Sequence, residues 1–239
     1  MKIRSLDIHV LLADDFDETL TSSAQDSLLV VLEDEDGVQG FGESDVNPWI
    51  GRACIDAPGT HTMGLGLRDM LLSEPVTDIR AFWERAYIGT AMNGRRGAVV
   101  HALGALEMAL WDLKGKREAK PVWQLLGRGH RPDPVVPYAS LQPNGFGFHD
   151  YRDALCAAAE RAKGLGFRAM KAEVTMNGPY AHDGMKEPYE RHTELIGAVR
   201  KTVGPDVTLM VDVQYMFPDA KTAAPVMQEW QEFGPFFVE

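Results

Sequence analysis

The chain has 239 residues, 45% of them hydrophobic and 25% charged, which is enough to bury one or two hydrophobic cores. A net charge of −11 without any Lys/Arg cluster argues against a surface for nucleic-acid phosphates. No apolar run approaches the roughly 18 to 20 residues needed to span a bilayer, so neither nucleic acid nor membrane is an expected partner.

The first stretch, Met1 to Leu20, has a short apolar patch broken by Asp7 and followed by Asp14, Asp15, Asp17 and Glu18, which does not suit a signal peptide. A cytoplasmic protein is expected. Cys54 and Cys156, far apart, fit a reduced compartment as small apolar residues.

The opening segments alternate like antiparallel strands: Lys2 to Leu12, Ser27 to Glu33, then Val38 to Glu43. Asp36-Gly37 between the last two is a hairpin signal. Residues 45–75, rich in Gly, Pro and Asn around Trp49, read as a loop with short turns. Val99, Ala102, Leu103, Leu106, Leu110 and Leu113 recur at helical spacing, predicting a helix from Gly97 to about Gly115. Pro121 opens a short helical turn closed by Gly127.

Gly129 to Pro137 breaks the pattern, because Arg131-Pro132-Asp133-Pro134 cannot continue a helix. The domain boundary is placed there, with an α+β domain over 1–130 and an α/β domain over 131–239. In the second domain short β runs alternate with amphipathic helices. The runs are Val135 to Ser140, Ala169 to Val174, Val207 to Val213 and Phe236 to Glu239, with helices reaching Lys163, Val203 and Phe233 between them. This is the pattern of a parallel sheet with right-handed crossovers. Three successive strands carry polar residues at their C-terminal ends, as a (β/α) barrel site requires, and no Gly-rich loop follows the first strand as nucleotide binding would require. A partial barrel of the TIM-like type is expected.

Asp212 and Glu239 each follow buried-looking apolar residues, where an ionised carboxylate is costly unless paired or bound to a cation. Neighbouring parallel strands lie about 4.8 Å apart, so acids at equivalent ends can meet on one ion. Hard oxygen donors without His or Cys beside them favour Mg²⁺ over Zn²⁺. The alternative is that Asp212 caps a loop and Glu239 merely ends the chain. Lys171 and Glu173 lie two apart on one strand and share a face. Either Lys171 has a lowered pKa and works as a base, or the two form a structural ion pair. His101 on the long helix reads as a packed or interface residue. His182 and His192, flanking the loop after that strand, are candidates for ligand contact, as are Asn47 and Trp49 in a first-domain loop that could cover the barrel mouth.

Taken together, the sequence resembles the enolase superfamily, in its mandelate racemase and muconate lactonizing enzyme branch. The resemblance is carried by Asp36-Gly37-Val38-Gln39-Gly40-Phe41-Gly42-Glu43, by Ala109-Leu110-Trp111-Asp112-Leu113-Lys114-Gly115-Lys116 and by Pro121-Val122-Trp123-Gln124-Leu125-Leu126-Gly127. Lys171, Val211-Asp212 and Val238-Glu239 follow in the family's order. It implies an α+β capping domain on a modified barrel, Mg²⁺ held by three carboxylates on successive strands, and removal of the proton next to a substrate carboxylate. Asp212 and Glu239 then correspond to the first two metal ligands, and Lys171 to the first lysine of a Lys-x-Lys motif. Two positions depart from the family pattern. Glu173 replaces the second lysine, usually the base on one face, and Gln214 stands where many relatives carry Asn beside the metal.

Relatives continue through four more strands, which bring the third ligand and an opposite-face base. The chain is therefore expected to be a fragment, truncated after the fourth barrel strand and inactive alone. The whole enzyme is expected to be a homo-oligomer acting on a small carboxylate. The polar loop Asn177-Gly178-Pro179-Tyr180-Ala181-His182-Asp183 suits a polyhydroxylated substrate, favouring dehydration of a sugar acid. Racemisation, epimerisation or cycloisomerisation shares the first half-reaction, and a non-catalytic truncated product is the reading from another class.

Overall fold

The computed structural model describes residues 1–17, 25–127, 131, 133–143, 147–181 and 185–239. Contacts divide them into two compact units, one running to Asp133 and the other from Pro134 to Glu239.

The first unit is built on a three-stranded antiparallel sheet in the order β1 (Ile3–Leu12), β2 (Asp26–Asp34), β3 (Gln39–Ser44). Leu28, Val30, Leu32 and Asp34 alternate inward along β2, the period of two that a one-sided sheet dictates. Gly37 makes the hairpin turn at φ +80°. Asp34 closes that turn: its buried carboxylate accepts the N–H groups of Asp36 at 3.0 Å and Val38 at 2.9 Å and pairs with Arg117.

Against this sheet lies the long helix α4 (Ala98–Arg117), and all six of the periodic apolar positions named above are buried in it. The close approach has a specific cause. A Cβ on Gly40 would fall 2.2 Å from the Ala109 carbonyl oxygen, and one on Gly42 would fall 2.0 Å from that of Ala105. Helix backbone thus sits directly on strand backbone, which only these two glycines allow. Phe41 between them donates its N–H to Asp112 at 2.8 Å, and Lys116 packs its ammonium 4.2 Å from the Phe41 ring centroid while bonding Asp112 at 2.6 Å.

The 45–75 stretch is not simply loop. It holds α1 (Pro48–Asp56) and α2 (Leu67–Ser73). Asn47 caps α1 by accepting from the Ile50 N–H at 3.2 Å, and Pro48 occupies the first turn. Turn-forming residues here start a helix rather than replace one. Helix α3 (Ile79–Gly89) and the short α5 (Val122–Leu126), ended at Gly127, complete the unit.

The second unit contains a parallel sheet in the sequential order β4 (Ala139–Leu141), β5 (Ala169–Glu173), β6 (Thr208–Asp212). The run 236–239 continues it beside β6. The Phe236 N–H donates to the Leu209 carbonyl at 2.7 Å, the Glu239 N–H to Val211 at 2.9 Å, and the Val213 N–H to Glu239 at 3.0 Å. Helices α6 (Gly147–Gly164), α7 (Tyr189–Val203) and α8 (Ala220–Glu229) follow β4, β5 and β6 in turn. β5 is buried at every position, as a strand covered on both faces must be. The expected strand Val135 to Ser140 shrinks to 139–141, leaving Val135 and Val136 88% and 72% exposed. Pro134 and Pro137 cannot donate to a ladder on either side of them.

Arg200 on α7 fastens the entry to β6. Its guanidinium donates to the carbonyls of Val207 at 2.7 Å, Phe233 at 2.8 Å, Gly204 at 2.9 Å and Gly234 at 3.3 Å. Those are backbone acceptors that neither helix nor strand satisfies. Among the described residues no helix is long and apolar enough to cross a membrane.

Candidate active site

Parallel register places chemically equivalent ends side by side. Glu173 pairs with Asp212 across β5 and β6, and Val211 with Val238, which sets Glu239 next to Asp212. Three acidic residues therefore occupy neighbouring strand ends at the C-terminal edge of the sheet. Lys171 lies one pleat earlier on β5, and its side chain is 11% exposed.

The Lys171 ammonium joins two of those acids. Nζ lies 2.9 Å from Asp212 Oδ2 and 2.7 Å from Glu239 Oε2, with the Tyr138 ring centroid 5.8 Å away. Burial pulls the Lys171 pKa down, but the hydrogen bonds and charges of Glu239 and Asp212 outweigh it, so the pKa is raised. This departs from the expectation of a lysine depressed toward neutrality, and the acids that Lys171 pairs with in this arrangement are Asp212 and Glu239. The sequence could not place Glu239, 68 positions away, within bonding distance.

Asp212 is held from behind. The Gln214 N–H donates to Oδ1 at 3.1 Å, leaving Oδ2 to Lys171. Gln214 and Tyr215 both have positive φ, +37° and +61°, a conformation rare for residues with side chains. Met216 closes the turn on the Val213 carbonyl at 2.8 Å. Gly178 in the loop after β5 packs on Met216, where a Cβ would come within 2.9 Å of its Cα. Tyr180 and Tyr215, one from each loop, meet at 5.6 Å and are 51% and 78% exposed. The Gln214 Oε1 atom is buried and has no hydrogen-bond partner among the described residues.

The remaining sequence candidates distribute differently. Glu173 is buried, and the Tyr151 hydroxyl donates to its backbone carbonyl at 3.0 Å. Burial above all, then the charges of Glu173 and Asp212, push the Tyr151 hydroxyl pKa well up, which keeps it a donor. Tyr151 and Tyr138 were not singled out from the sequence. Tyr151 lies on the buried face of α6 with Phe148, Leu155, Ala159 and Ala162, where helical spacing predicts core rather than polar neighbours. His192 is not a ligand-facing residue: it is fully buried on α7, with Nδ1 3.2 Å from the Pro188 carbonyl. His101 is exposed, 3.3 Å from Asp45, and is not packed. Asn47 is spent as the α1 cap, and Trp49 sits half-exposed on its first turn. His182 lies outside the described residues.

As a place for a metal, the donor set fits in kind. Two carboxylate oxygens already converge on one positive charge, and hard oxygens are what Mg²⁺ selects. Among the described residues no three His, Cys, Asp or Glu side chains group to hold a metal, so the set is the Asp212–Glu239 pair.

Comparison with known proteins identifies the family of both units. Residues 14–127 match the family model described as mandelate racemase / muconate lactonizing enzyme, N-terminal domain. Residues 154–239 match the one described as enolase C-terminal domain-like. An arabinonate dehydratase of Saccharolobus solfataricus is 31% identical over 193 residues, covering 79% of this chain and 46% of that protein. A 3,6-anhydro-alpha-L-galactonate cycloisomerase of Streptomyces coelicolor is 31% identical over 212 residues, covering 86% of this chain and 53% of that protein. The chain thus spans about half the length of these curated relatives. A racemase from Streptomyces coelicolor solved with bound magnesium superposes with a TM-score of 0.77 at 24% identity, covering 99% of this chain and 62% of that one.

Proposed function

Because the chain belongs to the mandelate racemase and muconate lactonizing enzyme branch of the enolase superfamily, we propose that the whole protein removes the proton α to a carboxylate, with Mg²⁺ at Asp212 and Glu239. The observation that carries this is the convergence of those two carboxylates on one cation, the Lys171 ammonium, at the C-terminal edge of a parallel sheet. That edge is where (β/α) barrels do their chemistry, and we take the sheet to be the first part of such a barrel.

When bound, Mg²⁺ supplies positive charge beside the substrate carboxylate and so lowers the cost of the enediolate. Asp212 and Glu239 would hold it. Lys171, whose ammonium lies beside both acids, is suited to bind and orient a substrate carboxylate. Glu173 stands where the family's second lysine stands, and as a carboxylate it can exchange a proton but cannot add positive charge. The loops bearing Tyr180 and Tyr215 bring hydroxyl donors to the same edge, which suits a polyhydroxylated acid.

Dehydration of a sugar acid is the preferred reaction. The α-proton and a β-hydroxide leave together as water, and the enol rearranges to a 2-keto-3-deoxy acid. Support comes from the dehydratase among the relatives, while the equally similar cycloisomerase marks the alternative. The test is a panel of aldonic acids given to the protein encoded by the complete reading frame, with 2-keto acid measured with and without Mg²⁺. Keto-acid formation that requires Mg²⁺ is expected. Turnover without keto acid, as an isomer of equal mass, would replace dehydration by isomerisation.

A further inference from the structure

The ammonium that reveals the cation position also fills it. Asp212 Oδ2 and Glu239 Oε2 both lie within 2.9 Å of Lys171 Nζ, whereas Mg²⁺ sits about 2.0 to 2.1 Å from its oxygen ligands. An ion accepting both oxygens would enter the space that Nζ holds, and two positive centres that close repel strongly. Asp212 Oδ1 already accepts the Gln214 N–H, which leaves Oδ2 as its less engaged oxygen. The ladders hold the backbones of Lys171, Asp212 and Glu239, and the ammonium rides on a flexible four-carbon stem that can carry it away from the acids, the Glu239 side chain being 58% exposed and that of Lys171 11%.

We propose that Lys171 is an internal counter-ion for the Asp212–Glu239 pair, and that a divalent cation binds by exchanging with its ammonium. In the cation-free state Lys171 keeps two neighbouring carboxylates from repelling each other. The cation takes over that task and releases the ammonium, which is then free for an anionic partner. A metal ligand pair and a substrate-binding charge would therefore be coupled: the second becomes available only when the first is filled. This inference rests on the reading of Asp212 and Glu239 as cation donors.

The test measures Mn²⁺ binding to the unmodified chain by the electron paramagnetic resonance of free Mn²⁺, beside Lys171→Met, Lys171→Arg and Asp212→Asn. Lys171→Met is expected to bind about tenfold more tightly, because no ammonium has to be displaced. Lys171→Arg should bind no more tightly than the unmodified chain, and Asp212→Asn should not bind. Equal or weaker binding by Lys171→Met, with the unmodified chain still binding, overturns the exchange and leaves the cation reading standing. No binding by any of them overturns both. Should Lys171→Met fail to fold, the unmodified chain labelled with ¹³C-lysine decides. The Lys171 Cε resonance, assigned with Lys171→Arg, is expected to shift on Mg²⁺ titration in step with occupancy. A resonance that stays put while Mg²⁺ binds overturns the exchange.

Discussion

Two groups of residues carry the family's pattern, and they do opposite work. In the first unit Gly40, Gly42, Asp112 and Lys116 serve contact between backbone and backbone. The glycines let α4 lie on β3, and Asp112 and Lys116 tie the helix to the strand's own amide and carbonyl groups. In the second unit Lys171, Asp212 and Glu239 are charges gathered at a strand edge, with little packing between them. Equally recognisable motifs can thus mark a seam in the fold or a cluster of charges at its edge. What separates them is whether the polar atoms are used up by backbone or left facing one another.

If that contrast holds, substitutions in the first group should unfold the protein and those in the second should not. The largest effect is expected for Gly42→Ala, whose methyl would meet the Ala105 carbonyl oxygen at 2.0 Å and the Ala109 nitrogen at 2.7 Å. A loss of about 3 kcal/mol in urea denaturation is expected, and a variant as stable as the parent would break the comparison.

Next comes Asp34→Ala, which takes the acceptor from two hairpin amides and leaves Arg117 to Asp36 alone, and should cost about 2 kcal/mol. Burial pushes the Asp34 carboxyl up, yet Arg117 and the amides of Val38 and Asp36 hold its pKa below the ordinary value. Its contribution is therefore full above the unfolded pKa and is lost as pH falls through the lower folded one. A denaturation series in acid should show that loss in the parent and not in the variant.

A smaller effect belongs to His192, whose pKa burial pulls below 6.5. Below that pH the unfolded chain takes up a proton that the folded chain refuses, so stability falls by at most about 1.4 kcal/mol per pH unit. His192→Gln should flatten that slope between pH 6.5 and 5. The smallest change in stability is expected for Asp212→Asn, under about 1 kcal/mol, because Glu239 still pairs with Lys171. Circular dichroism melts that show Asp212→Asn as damaging as Asp34→Ala would erase the distinction between seam and site.

Much of this was legible in sequence where a local rule governs the outcome. The Asp36-Gly37 hairpin follows from the left-handed freedom of Gly37, and α4 from its apolar spacing. The meeting of Asp212 and Glu239 follows from their places at neighbouring strand ends, but not from burial, since Phe236 and Phe237 are 74% and 38% exposed and the Glu239 side chain 58%. Reading failed where one residue type serves two purposes. Asn47 and Pro48 look like loop residues and are also how a helix begins, so α1 was missed. Val135 and Val136 look like strand, but flanking prolines deny them a ladder. The charge of Lys171 was beyond reach for another reason: it depends on side chains brought together by the sheet, 41 and 68 positions along the chain.

The left-handed turn at Gln214 and Tyr215 has an entropic consequence for Asp212. By aiming a backbone N–H at one carboxylate oxygen, it stops the carboxylate from rotating about its own axis before anything arrives to be bound. The freedom an incoming ion would otherwise have to remove is already gone when the chain folds. On the proposed reading of Asp212 as a cation donor, the strain of two unfavourable φ angles is thereby turned into readiness, an acceptor oriented before an ion arrives.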